Sequence, residues 1–262
     1  MTEPPTTVPV AEQLPLRGGL TLSRDRYFEV QAAAEALFGQ PDLMLPAKVV
    51  GVHQLVLRLS RGQPPPSADD LRAAIRQAAQ GGSEHKARLV MGIFLSTALP
   101  FSGNSIPQGG FGLMMAMLAG VAKQAAGIGS VTIGRWGVTV GVAAVQAVEV
   151  APVQAAVDER LATFWREQMA AGWLLRYGTL FRGAGLLAIG TGLAQWLLRA
   201  AAVAAGRPPD TADLERALEF LREEMVRPGA GFRLALEGTF SAVFDSLLDS
   251  PALVASLATF AR

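Results

Sequence analysis

Residues 89–122 form a run of 34 positions without a single Asp, Glu, Lys or Arg. As one helix, that run would exceed the roughly 20 residues needed to cross a bilayer. It is not one straight helix, because Pro100 and Pro107 flank the turn-like hexapeptide Phe101-Ser102-Gly103-Asn104-Ser105-Ile106 and break it into two arms. The arms hold 11 and about 15 residues, and at ~1.5 Å per residue neither spans a ~30 Å hydrocarbon core. The run therefore predicts an apolar hairpin, either re-entrant in a membrane or buried in protein.

A second uncharged run covers the 16 residues 183–198, bounded by Arg182 and Arg199 and extended by residues 200–206. It is the strongest spanning candidate, although runs of this length suit buried core helices equally well. Composition agrees with both runs. The residues AVILMFWYC make up 50% of the 262, the 28 glycines come on top, charged residues reach only 17%, and mean hydropathy is +0.31. An ordinary soluble domain carries ~25% charged residues, so global disorder is excluded and little surface is left to solvate.

Composition also removes several function classes. A net charge of +1, with no basic run interleaved with aromatics, gives no steering field for nucleic acid. Zero cysteine and two histidines leave no disulfide, thiolate or zinc chemistry. The first residues lack the basic-then-apolar order of a signal peptide, which places the expected start of the chain in the cytoplasm.

Four regions follow from composition. Residues 1–18, with Pro4, Pro5, Pro9 and Pro15, read as a disordered tail. Residues 19–82 read as an N-terminal helical region: Ser23 caps a helix over 24–38, a second covers 46–60, and a Ser67/Asp70 capping box opens a third. Residues 83–206 are an apolar, Gly/Ala-rich helical region. Residues 207–262 hold amphipathic helices, the first capped at Asp210 and the last begun at Ser250-Pro251. The expected fold class is all-α, with amphipathic helices bracketing the apolar centre. Alternation at 138–142 adds a short strand pair near 131–142.

The sharpest motif is glycine at seven-residue intervals: Gly120, Gly127, Gly134 and Gly141, and again Gly178, Gly185 and Gly192. On continuous helices these positions share one face, and a face without side chains lets two backbones approach closely. The spacing resembles the glycine-zipper pattern of self-associating membrane helices. These seven glycines are the candidate helix-contact positions. Trp136, Trp173 and Trp196, with Arg182 and Arg199, are the candidate anchors at a membrane interface. Arginines flank the second run on both sides, so topology is not fixed by charge.

Catalytic signals are weak. Gly183-Ala184-Gly185-Leu186-Leu187-Ala188 matches a loose dinucleotide fingerprint, yet no apolar strand precedes it and no second strand–helix unit follows. His85, beside Glu84 and Lys86, reads as a solvated helix start. His53 among Val50, Val52 and Leu57 reads as a core histidine. Lys123 reads as a cation snorkelling from an apolar stretch. No catalytic residue, cofactor or metal is expected.

The leading expectation is a non-enzymatic, membrane-associated helical protein on the cytoplasmic side. It self-associates or joins a complex through glycine-faced helices, with membrane lipid or an apolar protein surface as its partner. The alternatives are a soluble cytoplasmic all-α scaffold or adaptor with a buried apolar hairpin, and a binder of an apolar ligand within the bundle.

Overall fold

A computed structural model describes residues 12–79, 83–103, 111–236 and 244–261. The chain is mostly helical, with two short antiparallel strand pairs. The first pair corrects the expected disordered tail over 1–18 at residues 13–18; residues 1–11 of that tail lie outside the described residues. Strand β1 (Gln13–Arg17) pairs with β2 (Leu20–Ser23) through a two-residue turn at Gly18-Gly19. Those glycines have φ +52° and +82°, the conformation a tight hairpin turn requires and other residues resist. Leu14 and Leu16 alternate into the core at 5% and 4% exposure. Two leucines of period two outweigh Pro15 on an edge strand.

Ser23 then caps α1 (Arg24–Gly39), its hydroxyl accepting the Arg26 amide. Helix α2 (Leu45–Ser60) buries most of its residues, and α3 (Ala68–Ala79) starts at the Ser67/Asp70 box, formed reciprocally at 2.8 and 3.1 Å. The hairpin expected from the first uncharged run is present as α4 (Glu84–Thr97) packed on α5 (Phe111–Ala125). Half of its expected turn, residues 104–106, lies outside the described residues. Strands β3 (Ser130–Ile133) and β4 (Val138–Gly141) form the second pair close to where alternation put it. Short α6 (Val142–Gln146) and then α7 (Gln154–Ala170) follow.

Helix α8 (Leu180–Ala205) is the axis of the fold: 26 residues, or roughly 39 Å. Around it lie α2, α9 (Thr211–Leu221), α11 (Pro251–Ala258) and the β1 strand. A π-helical turn (Arg222–Val226) and α10 (Ala230–Leu236) connect α9 to the last helix. One cluster of buried apolar side chains runs from Leu14 to Ala258. The 19–82, 83–206 and 207–262 regions therefore share a single core.

Among the described residues α8 is the one helix long and apolar enough to cross a membrane, and 94% of its most apolar stretch is buried inside the protein. Its glycines explain how so many elements crowd it. A Cβ on Gly183 would lie 1.9 Å from the Leu174 carbonyl oxygen, one on Gly190 2.6 Å from the Trp165 ring, and one on Gly192 2.4 Å from the Leu257 carbonyl oxygen. Glycine inside a helix costs about 1 kcal/mol relative to alanine. Close packing along all sides of α8 offsets that cost.

Candidate functional site

The seven glycines do not form one face. Gly127 and Gly178 have φ +73° and +96° and belong to turns, where that conformation favours glycine. Gly134 begins a 3-10 turn between β3 and β4, and Gly141 ends β4 and caps α6. Only Gly120, Gly185 and Gly192 lie within helices, and each is met by the same chain: Ser96 at 2.9 Å, Leu248 at 2.2 Å and Leu257 at 2.4 Å from an added Cβ. The spacing of seven ran across strands and turns, so it had no common axis.

The candidate anchors are likewise placed inside. Trp173 and Trp196 are each 1% exposed, core side chains rather than interfacial ones. Trp165, also buried, donates from its indole Nε1 to Thr191 Oγ1 at 3.0 Å. Trp136 is half-buried, edge-on to Phe220 and beneath the Arg216 guanidinium. Arg182 forms a two-pronged ion pair with Asp245 at 3.0 and 2.9 Å. Arg199 is buried beside the Gln146 carbonyl.

Among the described residues, large apolar side chains are exposed at Leu20, Phe28, Met44, Leu89, Met115, Leu118 and Ile128, and α5 carries two of them on one side. Met115, Leu118, Ala119 and Ala122 are all exposed, and their spacing of i, i+3, i+4 and i+7 puts them on one side of the helix. The two large ones are 47% and 44% exposed, and Ile128, just past the helix end, is 58% exposed. Toward α4, glycines allow close approach. Gly120 rests on Ser96, and Gly92 of α4 rests on the Val121 carbonyl at 3.0 Å from an added Cβ. Gln124 ties the helix end to β3 through the Ser130 carbonyl at 3.2 Å. Helix α5 thus lies close against α4 at Gly92 and Gly120 and exposes Met115 and Leu118.

The sequence around α5 is poor in acids, although Glu84 stands at the start of α4 and pairs with Arg88 at 2.6 Å. Residues 85–148 contain Lys86, Arg88, Lys123 and Arg135 and no Asp or Glu. Arg135 is paired with Glu223 and Glu224. Lys86 and Lys123 are exposed and sit at the same end of the antiparallel α4–α5 pair. Nothing in the composition of α5 distinguishes its outer from its inner side, which is why sequence reasoning did not single out Met115 and Leu118. The usable signal was the acid-free span.

Two cavities lie elsewhere. One of about 520 Å³ carries charges of both signs: Lys48, Arg166, Asp158 and Glu159. Lys48 donates to the Phe38 carbonyl at 3.0 Å, a cation closing the C-terminal end of α1. Burial pushes its ammonium below the usual lysine range, Arg166 adds to the shift, and Asp158 opposes it. The other, about 410 Å³, contains Arg199. Among the described residues, His, Asp and Glu nowhere gather in the groups of three that hold metals.

Comparison with known protein families finds no matching model, and neither the curated proteins nor the solved structures contain a match.

Proposed function

We propose that this chain is a non-enzymatic helical protein that docks on an anionic membrane surface through the outer face of α5. The observation carrying this reading is the exposed Met115–Leu118–Ala119–Ala122 stripe set in a span with cations and no acid. An apolar helix lying along a surface buries its side chains at the headgroup boundary, and nearby lysines add attraction to anionic lipid. Half-exposed Met115 and Leu118, with Ile128, offer about 1 kcal/mol each on burial. Lys86 and Lys123 add about 1 kcal/mol each. A total on the order of 5 kcal/mol describes weak, reversible binding rather than insertion.

Self-association, the other half of the sequence expectation, would run through the same face, since Gly185 and Gly192 are covered by Leu248 and Leu257. The alternative of an adaptor that seats α5 against a protein shares that face as well. Vesicle flotation separates these readings. The wild type floats with phosphatidylglycerol vesicles and not with phosphatidylcholine alone, and Met115→Glu/Leu118→Glu abolishes flotation. Equal flotation of the double variant overturns the proposal. A wild-type dimer that fails to float, and that the double variant converts to monomer, assigns the face to protein contact instead.

A further inference from the structure

Helix α8 carries two charged residues, Arg182 and Arg199. Asp245 neutralises the first. The second is 8% exposed, and no carboxylate among the described residues lies within ion-pair distance of it. Its Nε has no hydrogen-bond partner, and Nη1 has only a long 3.5 Å approach to the Gln146 carbonyl. Desolvation alone pushes this guanidinium below the usual arginine range, with no neighbouring acid to oppose the shift. A buried cation is normally paired, so Arg199 needs an anion.

It lines the cavity of about 410 Å³ between α4, α6, α8 and the turn after α11, within the ~300–1,000 Å³ range of small-molecule sites. Val145, Trp196 and Phe260 supply apolar walls. The hydroxyls of Ser256 and Thr259 already donate to the carbonyls of Ala252 and Ala255, which leaves Arg199 as the deep free donor. At the rim, Arg88 is engaged by Glu84 at 2.6 Å, and that carboxylate disfavours a doubly charged guest. A guanidinium lining a cavity can hold one planar carboxylate through two parallel N–H donors.

We infer that this cavity binds a small amphipathic monocarboxylate, its carboxylate on Arg199 and its apolar body against Trp196, Phe260 and Val145. This site is independent of the α5 face. The test is calorimetric titration of the full chain with decanoate, decanol and decyl phosphate below their aggregation limits, beside Arg199→Met and Arg199→Lys. Decanoate binds and raises the melting temperature, decanol binds at least about tenfold more weakly through the loss of one charge-assisted bond, and dianionic decyl phosphate binds more weakly than decanoate because Glu84 stands at the rim. Arg199→Met melts cooperatively and loses the preference for decanoate over decanol, and Arg199→Lys retains part of it. Met115→Glu/Leu118→Glu binds decanoate as the wild type does. Equal affinity for decanoate and decanol, an unaltered Arg199→Met, or no heat and no melting shift overturns the assignment.

Discussion

The Glu224 carboxylate accepts the backbone N–H of Gly103 at 2.8 Å, joining the π-helical turn after α9 to the end of the α4 segment. The same oxygen takes Arg135 Nη1 at 3.3 Å, and a Cβ on Gly229 would sit 1.9 Å from the other oxygen. Burial raises the Glu224 carboxyl above its ordinary range, while the Gly103 amide and Arg135 pull it back. Glu224→Ala removes the acceptor of the Gly103 amide and unpairs Arg135, both partly open to solvent, so it should cost about 2 kcal/mol. Glu224→Gln keeps a carbonyl acceptor and should cost less. Urea unfolding reads both; a loss under ~1 kcal/mol for Glu224→Ala removes the clamp.

Glycines on α8 should separate from glycines elsewhere. Gly183→Ala drives a methyl into the Leu174 backbone, which cannot rotate away, so overpacking of about 2–3 kcal/mol outweighs the ~1 kcal/mol gained in helix propensity. Gly120→Ala meets the Ser96 hydroxyl at 2.9 Å, which can turn aside, and Ser96 Cβ at 3.1 Å, which must give by a few tenths of an ångström, so its net effect should stay within about 1 kcal/mol. Thermal melts of the two variants check the ordering. Gly185→Leu, facing Leu248, should fail to fold rather than dissociate an assembly.

Local signals were legible in the sequence and distant ones were not. The caps at Ser23, Asp210 and Ser250 formed as read, because a cap depends on amides within three residues. The box of Ser67 and Asp70 did so for the same reason. An uncharged run fixes that α8 is a helix but not what covers it. That is decided by Trp165, Leu248 and Leu257, which lie far away in the chain. A seven-residue spacing presumes an unbroken helix, and Gly134 to Gly141 spans a hairpin. Residues 111–122 of α5 carry no polar side chain, so no polar stripe marked the outer face. The β1–β2 hairpin was hidden by prolines that overshadowed Leu14, Leu16 and the Gly18-Gly19 turn.

His53 should make stability depend on pH. It is fully buried on α2, its ring 5.3 Å from that of Phe181. Desolvation holds its imidazole down at about 4; Asp249 pulls upward, and Arg17 and Arg61 push further down. An unfolded histidine titrates near 6.5. Between the two values the unfolded chain binds a proton that the folded chain refuses, so stability is complete above ~6.5 and falls as pH drops toward ~4. The loss is on the order of 3 kcal/mol. Glu224, shifted upward, works in the opposite sense, so the difference between wild type and His53→Gln isolates the histidine. Identical pH slopes in the two proteins would exclude it.

The α5 face should be separable from folding. Met115 and Leu118 are about half exposed, so Met115→Glu/Leu118→Glu removes little buried area and should leave the urea midpoint within ~0.5 kcal/mol of wild type. Lipid affinity should nevertheless vanish, because burying two carboxylates at the headgroup boundary costs more than the stripe supplies. Exposed Lys86 and Lys123 act through a field screened over ~10 Å at 0.1 M salt and ~3 Å at 1 M. Wild-type flotation should therefore weaken steeply with salt, and Lys86→Gln/Lys123→Gln should flatten that dependence while retaining the apolar share. A salt dependence that survives loss of both lysines would place the electrostatic contact on another surface. A double glutamate variant that unfolds would show instead that Met115 and Leu118 belong to the core.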